Sequence, residues 1–329
     1  RQDLRSSSPL PGEMEEYFLV AVSNRENLNL CLDWAMAGFP DTINGVWAYC
    51  DIKLGDFVSF LYGAKAYNLY RVVGKEAVRN PQDLPPPWKP IFFKQSGKTC
   101  YFPFRLKLEL MRVFEEPLTR REFAYIAENL LQRGGYWKTH FQADQTTLQQ
   151  VSVMGKIGKE ETKREHIIQA ELFQPKFLRG RQRVEGTYPF REVIVQSILR
   201  QHLLRPEVLR ELLNRLGIEE DEEFEVLGEK AFAEGYVDIL IKNSRPIGKN
   251  MMVAVEVKLG AAGKKDVEQL ERYVKELGEE CKGGVLLAEK VPKRITLPEG
   301  VHLAKYSFST DLSSSRTFEE LLESIKLEF

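Results

Sequence analysis

The chain has 329 residues, a length that predicts about two domains, each large enough to bury its own core. Its 43% hydrophobic and 29% charged residues are typical of a soluble globular protein, and no apolar run approaches the about 20 residues that span a bilayer. A net charge of -1 excludes a global attraction to polyanions. The four cysteines and four histidines form no CxxC, HxxxH or mixed cluster, which argues against a zinc site.

Residues 1–15 are rich in serine and proline and contain no apolar signal-peptide core. We therefore expect a flexible lead-in over 1–15 and a cytoplasmic location, with no membrane partner.

Residues 16–150 are rich in strand patterns separated by Gly, Asn and Pro. The strands are predicted in YFLVAVS, GDFVSFLYG, NLYRVVG and YFPFRLKLELMRVF. Helices are predicted over NLNLCLDWAMAG, stopped by Gly38, and over TRREFAYIAENLLQRGG, capped by Thr119. The segment RNPQDLPPPW is predicted as a loop because of its prolines. This order predicts a compact β-barrel with helices packed on it.

Residues 151–187 are predicted to be a basic linker. From Lys156 to Arg183 we count eight basic residues against four acidic ones. A charge run of this kind is typical of a solvated linker, and it is also the local charge segregation that a nucleic-acid surface requires.

Residues 188–329 combine helical and strand patterns. Helices are predicted in FREVIVQSILRQHLL, PEVLRELLNRLG, DVEQLERYVKELGEE and FEELLESIKLEF, and strands in FEVLGEKAF, GYVDILI, MMVAVEVKL and GGVLLAE. Strands followed by a crossover helix and another strand predict a mixed α/β sheet flanked by helices.

Two predicted strands of this region carry charges where a core strand should carry none. Side chains alternate across a strand, so Glu256 and Lys258 share one face. The turn NSRPIGKN can bring Asp238 of the preceding strand beside them. Two converged carboxylates repel each other unless a cation compensates, and Mg²⁺ prefers such oxygen ligands. The alternative is an ordinary cross-strand ion pair on a solvent-facing side.

Two helices supply further polar groups. Glu192 shares a helical stripe with Val195 and Leu199, which places a carboxylate at the edge of a buried face. Gln269 and Tyr273 are four residues apart and superimpose on one helical face. Each also has an ordinary explanation as a capping or solvated residue.

Residues 188–290 resemble the PD-(D/E)XK nuclease superfamily, with E-V-K at 256–258 and a Q-x-x-x-Y helix as in RecB-type nucleases. The wording G-Y-V-D-I-L-I, V-E-V-K and Q-L-E-R-Y is also similar to the nuclease half of archaeal mismatch endonucleases. The resemblance implies Mg²⁺-dependent cleavage of nucleic acid, with Mn²⁺ able to substitute. It implies metal ligands at Asp238 and Glu256, a catalytic Lys258, and support from three residues, Glu192, Gln269 and Tyr273.

The first half also contains a recognisable pattern. F-L-V-x-x-S-N-x-E-N is similar to the opening of the YTH domain, and K-x-G-D-F-V-x-F-x-Y-G and F-P-F-R-L-K-L-E-L resemble the EVE branch of the same PUA-like fold. The resemblance implies a PUA-like β-barrel with a pocket for a modified base, lined by Ser23, Asn24, Asn27, Trp34 and Trp47. Tyr49, Tyr62 and Trp137 are the alternatives. Capping for the polar residues, and a core role for the tryptophans, are the competing interpretations.

Together these patterns predict an enzyme, a modification-dependent DNA endonuclease. Its 16–150 domain would flip and read a modified base, expected to be methylated, and its 188–329 domain would cut double-stranded DNA nearby. One such site cuts one strand, so we expect a homodimer at least on DNA. The alternatives are a DNA repair or mismatch endonuclease, and a modified-RNA-binding protein with a degenerate nuclease domain.

Overall fold

A computed structural model describes residues 14–94, 96–121, 123, 138–159, 168–180, 184–219, 222–232 and 235–329. The chain divides into two compact units, one of residues 1–143 and 147–175 and the other of residues 144–146 and 176–329. The predicted lead-in over 1–15 lies almost entirely outside the described residues, as does most of the predicted helix over TRREFAYIAENLLQRGG.

The first unit is built on a mixed eight-stranded sheet whose main path runs β10-β7-β4-β3-β1-β9. Short β2 pairs with β7, and β8 pairs with β4. β1 and β3 are parallel, whereas β3 and β4 are antiparallel. The strands are β1 Tyr17–Ala21, β2 Met36–Phe39, β3 Phe57–Tyr62, β4 Lys65–Ala77, β5 Ile91–Phe93, β6 Lys98–Cys100, β7 Phe104–Val113, β8 Leu118–Thr119, β9 His140–Ala143 and β10 Lys156–Ile157. The helices are α1 Arg25–Trp34, α2 Ile43–Asp51 and α3 Gln145–Ser152, of which α3 begins in the 144–146 segment of the second unit.

One predicted helix of the first unit is wrong at its end. The helix predicted over NLNLCLDWAMAG stops at Trp34, and Ala35 adopts a left-handed conformation with φ 45°. The next four residues form β2, because Met36–Phe39 pairs antiparallel with β7 and buries its apolar side chains there. Pairing with a distant strand has overridden the local helical periodicity.

The predicted basic linker 151–187 contains regular structure where it is described. β10 pairs with β7, and the Phe173 N–H donates to the Ala77 carbonyl at 2.9 Å. Later in the segment, β11 Lys176–Leu178 and β12 Thr187–Pro189 pair in parallel within a small sheet of the second unit. Part of the basic run, residues 160–167 and 181–183, lies outside the described residues.

The second unit is a mixed six-stranded sheet in the order β13-β14-β15-β16-β17-β19. Its strands are β13 Phe224–Phe232, β14 Gly235–Asn243, β15 Met252–Ala261, β16 Cys281–Lys290, β17 Val301–Phe308, β18 Arg316–Thr317 and β19 Ile325–Glu328, of which β18 belongs to the small sheet. The helices are α4 Glu192–Leu203, α5 Pro206–Arg215, α6 Lys264–Leu277 and α7 Phe318–Ser324, with a 3₁₀ turn at Gly278–Glu280.

The mixed topology follows from the connections. β14 pairs antiparallel with both β13 and β15, whereas β15 and β16 are parallel and α6 crosses between them. The crossover buries Val267, Leu270 and Tyr273 of α6 against the sheet. These elements confirm the predicted mixed sheet flanked by helices.

The final helix is shorter than predicted. FEELLESIKLEF is helical only over Phe318–Ser324, and Ile325–Glu328 is a strand that pairs antiparallel with β17. The alternating sequence IKLE completes the edge of the sheet because β17 offers it an unpaired backbone. Among the described residues, no helix combines the length and the apolar character that a membrane crossing requires.

Candidate active site

Two carboxyl groups meet where β14 and β15 run side by side. The register pairs Ile239 with Val255, so the next residues along, Asp238 and Glu256, lie opposite each other. The Asp238 N–H donates to Glu256 Oε2 at 3.3 Å, and the Val257 N–H donates to Asp238 Oδ2 at 2.8 Å. The predicted convergence of these two side chains is confirmed.

Both carboxyl groups have raised pKa values, chiefly because burial disfavours their charged forms. For Glu256 the second cause is repulsion from Asp238, and the side chain is only 2% exposed. The pair is therefore short of positive charge even with a lysine nearby. A hard divalent cation would relieve that shortage, so the donor set fits a metal of the Mg²⁺ type.

Among the described residues, no three His, Cys, Asp or Glu side chains are grouped as metal ligands. A cation held by Asp238 and Glu256 would need water, backbone or phosphate oxygens for its remaining positions, as is usual for Mg²⁺.

Lys258 lies beside this pair and is held by two further carboxylates. Its Nζ is 3.5 Å from Glu192 Oε1 and 3.7 Å from Asp266 Oδ1. Burial lowers the pKa of Lys258, but the surrounding carboxylates outweigh burial and raise it, so the ammonium stays charged. Asp266 was not predicted from the sequence, although its position in the first turn of α6 is a typical capping position: its Oδ2 also accepts the Gly263 N–H at 2.8 Å.

The three supporting residues lie at the site. Besides its contact with Lys258, Glu192 binds the strand itself, since its Oε2 accepts the Leu259 N–H at 2.9 Å. Gln269 donates to Glu256 Oε1 at 2.6 Å and to the Tyr273 hydroxyl at 3.0 Å. The pair Gln269 and Tyr273 therefore orients Glu256.

Two hydrogen bonds from buried side chains, which the sequence did not reveal, hold the strands in place. Gln196 of α4 donates to the Asp238 carbonyl at 2.8 Å, and the Tyr306 hydroxyl donates to the Lys258 carbonyl at 2.8 Å. Neither residue belongs to a recognisable motif, so only the tertiary structure identifies them.

The first unit contains a cavity of about 440 Å³. Its lining is largely apolar and includes Phe39, Phe60, Tyr62, Trp88, Phe93 and Phe102. A few polar residues interrupt this lining, namely Ser23, Asn27, Thr42, Asn44 and Lys138. Burial raises the pKa of the Cys31 thiol, which also lines the cavity, to about 12, so it is no nucleophile at neutral pH. Such a lining favours binding of a flat, partly polar ligand.

Two neighbouring side chains hold Trp88 in the cavity lining. The Arg105 guanidinium lies over its ring at 5.2 Å, and the Phe102 ring meets it edge-on at 5.6 Å. Arg105 is 1% exposed and donates to the carbonyls of Phe102, Pro85 and Pro81. This buried arginine thus fixes the proline-rich loop that carries Trp88.

Of the three polar residues predicted for the base pocket, two line the cavity and one caps a helix. Ser23 and Asn27 line the cavity, whereas Asn24 caps α1 by accepting the Asn27 N–H at 2.8 Å. The Asn27 side chain bonds both the N–H and the carbonyl of Lys89, so it fastens the residue that follows Trp88.

The predicted tryptophans lie elsewhere in the first unit. Trp47 is 5% exposed and packs edge-on against His140, whose Nε2 is 2.8 Å from Asp51 Oδ2. Trp34 is the last residue of α1 and is not part of the described cavity lining. The tryptophan of the cavity lining is therefore Trp88 of the proline-rich loop, because tertiary packing places Trp88 and not Trp47 at the cavity.

The three alternative aromatic residues also differ in position. Tyr62 lines the cavity, and Tyr49 packs against Phe104 with Lys75 over its ring. Trp137 lies outside the described residues.

The second unit matches a known family. Residues 216–299 match the model described as the endonuclease NucS C-terminal domain. The matched stretch contains Asp238, Glu256, Lys258, Gln269 and Tyr273, and Glu192 precedes it. The match supports an endodeoxyribonuclease. No curated protein matches the chain.

Three solved structures show limited likeness. An EndoMS–dsDNA complex is 27% identical over 30% of this chain and 42% of that one, with a TM-score of 0.21. A repair endonuclease from Pyrococcus abyssi is 23% identical over 29% and 43% of the two chains, with a TM-score of 0.19. The DNA modification-dependent restriction endonuclease AspBHI is 12% identical over 96% and 72%, with a TM-score of 0.19. The chain thus spans less than half the length of the first two.

Proposed function

We propose that the chain is a modification-dependent endonuclease that cuts double-stranded DNA. The observation that carries the hydrolytic part is the contact between the Asp238 and Glu256 carboxyl groups with the Lys258 ammonium alongside. The NucS-type match over 216–299 supports the same chemistry.

Asp238 and Glu256 would hold a divalent cation, Mg²⁺ or in its place Mn²⁺. When bound, such an ion acidifies water and neutralises charge on a phosphodiester oxygen. The side chains around it fix the two ligands: Gln269 donates to Glu256, and the Val257 N–H donates to Asp238.

Lys258 would stabilise the negative charge that builds up on the phosphate in the transition state. Its ammonium keeps its proton, because Glu192 and Asp266 flank it. With the ammonium restrained by these two carboxylates, little reorganisation is needed when the phosphate arrives.

The cavity of the first unit would read the modified base. An aromatic lining with a few polar groups can stack a base and hydrogen-bond its edge, which favours a base that is flipped out of the duplex. The resemblance of residues 16–150 to the EVE and YTH domains supports this reading. We assign the stacking to Trp88 and Phe93 and the polar contacts to Ser23, Thr42 and Lys138.

One site of this kind hydrolyses one strand. A double-strand break therefore requires two copies on the DNA, and we propose a homodimer at least in that complex. Separation of nicked from linear plasmid over a range of protein concentrations tests this. We expect nicked plasmid to appear first, and the yield of linear plasmid to rise more steeply with protein concentration.

The function is tested by digesting a panel of duplexes in Mg²⁺ or Mn²⁺, with EDTA as control. The panel contains plain, methylated, hydroxymethylated and mismatched DNA of one sequence. We expect metal-dependent cutting that is strongest on a modified duplex. Equal cutting of plain and modified DNA would contradict base reading.

The NucS-type match also favours a second candidate, a repair or mismatch endonuclease. That function predicts that the mismatched duplex is cut best in the same panel. A modified-RNA-binding protein with a degenerate nuclease domain predicts no cutting by the wild type and unchanged RNA binding by Lys258→Ala, and the complete set of Asp238, Glu256 and Lys258 argues against it.

A further inference from the structure

The β5–β6 hairpin separates the cavity from the outside of the first unit. Ile91 and Phe93 of β5 line the cavity, and Phe92 between them is 60% exposed. This follows from strand geometry, since neighbouring side chains point to opposite faces. The hairpin is held by pairing of Phe92 with Thr99 and of Phe93 with Lys98. The hairpin therefore presents the exposed Phe92 ring on the face opposite to the one that lines the cavity.

The hairpin segment is also basic. Residues 89–99 contain Lys89, Lys94 and Lys98 and no acidic residue. Lys94 and Lys98 are exposed. The distance from Lys98 Nζ to Asp41 Oδ2 is 4.0 Å, which is the outer limit of an ion pair. A basic strand pair around an exposed aromatic side chain is the combination that binds nucleic acid, with ammonium groups on phosphates and the ring against bases.

A base in a duplex is stacked and paired, so it reaches a cavity only when it is extracted, and extraction leaves a gap in the stack. Apolar side chains inserted between base steps compensate for lost stacking. We propose that Phe92 is the side chain that enters the duplex and fills this gap, while Lys94 and Lys98 contact the flanking phosphates. The proposal rests on the proposed base-reading function and adds a residue for it outside the cavity.

Exposure and position together distinguish Phe92 from the other exposed apolar residues of the described chain. Tyr101 also adjoins a lining residue, Phe102, but it is 40% exposed against 60% for Phe92. Val153 of the first unit is 77% exposed and Ile247 of the second unit is 92% exposed, but both are aliphatic and neither adjoins a residue that lines the cavity. Val153→Ala therefore serves as the matched control for Phe92→Ala.

The experiment measures binding by fluorescence anisotropy in EDTA, so that no cutting occurs. The probes carry methylated or hydroxymethylated cytosine in a duplex and in the corresponding single strand, with plain DNA beside them. We expect Phe92→Ala to weaken binding of the modified duplex about tenfold, as loss of one stacking contact does. Binding of the modified single strand, in which no base must be extracted, should stay within about twofold. Phe92→Trp should retain duplex binding, and Val153→Ala should change neither.

Equal weakening on duplex and single strand would overturn the proposal, because it would make Phe92 a support of the cavity wall. Unchanged duplex binding by Phe92→Ala would overturn it as well. If wild-type protein instead binds plain and modified duplexes equally, base reading itself fails, and that outcome is visible before any variant is compared.

Discussion

The candidate active site and the cavity of the first unit differ in what they bury. The active site buries charge on two adjacent strands: Glu256 is 2% exposed beside Asp238, and repulsion between them adds to the cost of burial. The cavity instead is lined largely by apolar and aromatic side chains. The buried arginine next to it, Arg105, is not part of the lining and donates to three backbone carbonyls. In the proposed function, a cation and a phosphate would complete the first arrangement, and a base would complete the second.

This difference shows how one chain can separate chemistry from selectivity. A site of carboxylates and an ammonium interacts with phosphates, which every sequence shares. A cavity of rings and a few polar groups discriminates by shape and edge contacts. Each prediction below should therefore affect one unit and leave the other unchanged.

The largest effect is expected at Lys258. Lys258→Ala removes the ammonium that would face the phosphate, and the single-turnover rate of DNA cleavage in Mg²⁺ should fall about 10²–10³-fold. Binding of the modified duplex in EDTA should be unchanged, because it depends on the first unit. Lys264→Ala is the control, since that lysine lies in the first turn of α6, which also carries Asp266, but is 89% exposed. A rate for Lys258→Ala within twofold of wild type would refute the assigned role.

The next effect concerns stability in acid. Burial, followed by repulsion from Arg205, lowers the pKa of His202 from 6.5 to about 4, although Glu207 opposes the shift. Between these two values the unfolded chain binds more protons than the folded one, so stability falls as pH drops from 6.5 to 4. The substitution His202→Gln should reduce this acid-induced loss in the free energy of unfolding by up to about 3 kcal/mol. Urea unfolding at neutral and acidic pH measures it, and an identical pH dependence in both proteins would contradict the assignment.

A change in the cavity lining should act only on the first unit. A Cβ at Gly38 would lie 2.6 Å from the Trp88 ring, which Arg105 and Phe102 prevent from moving freely. Gly38→Ala should cost about 1–3 kcal/mol and weaken binding of modified DNA. In Gly74→Ala the added methyl group meets the Lys107 side chain at 3.2 Å, so this control should be milder. Unfolding curves measure the stability of both variants, and fluorescence anisotropy measures their binding of modified DNA. Equal effects of Gly38→Ala and Gly74→Ala would show that the Trp88 ring can adjust to the added methyl group.

The smallest effect is expected at Tyr273. Tyr273→Phe removes the hydroxyl that accepts from Gln269, which keeps its bond to Glu256. Cleavage should fall severalfold, because the orientation of Glu256 loosens while its charge remains. Tyr67→Phe in the first unit, which loses a contact with Arg25, should leave the rate unaltered. A loss as large as that of Lys258→Ala would mean that Tyr273 itself takes part in the chemistry.

The two regions also differ in how far the sequence could predict them. Asp238, Glu256 and Lys258 lie on strands whose alternation and connecting turn dictate the register, so their convergence follows from local pattern. Trp88 lies in a proline-rich loop that reaches the cavity through Arg105, a residue on β7, and through Asn27 on α1. Such long-range contacts leave no periodic signal. For the same reason β2 and β19, which pair with distant strands, looked like continuations of helices.

The central claim is that the Asp238 and Glu256 carboxylates support metal-dependent hydrolysis of DNA. Its most direct test is the cleavage of a modified duplex by wild-type protein and by Glu256→Gln, in Mg²⁺ and in EDTA. Glu256→Gln keeps the size of the side chain and its place beside Gln269 but removes the charge. We predict that wild type cuts in Mg²⁺ and not in EDTA, and that Glu256→Gln does not cut in either. Undiminished cutting by Glu256→Gln would contradict the account.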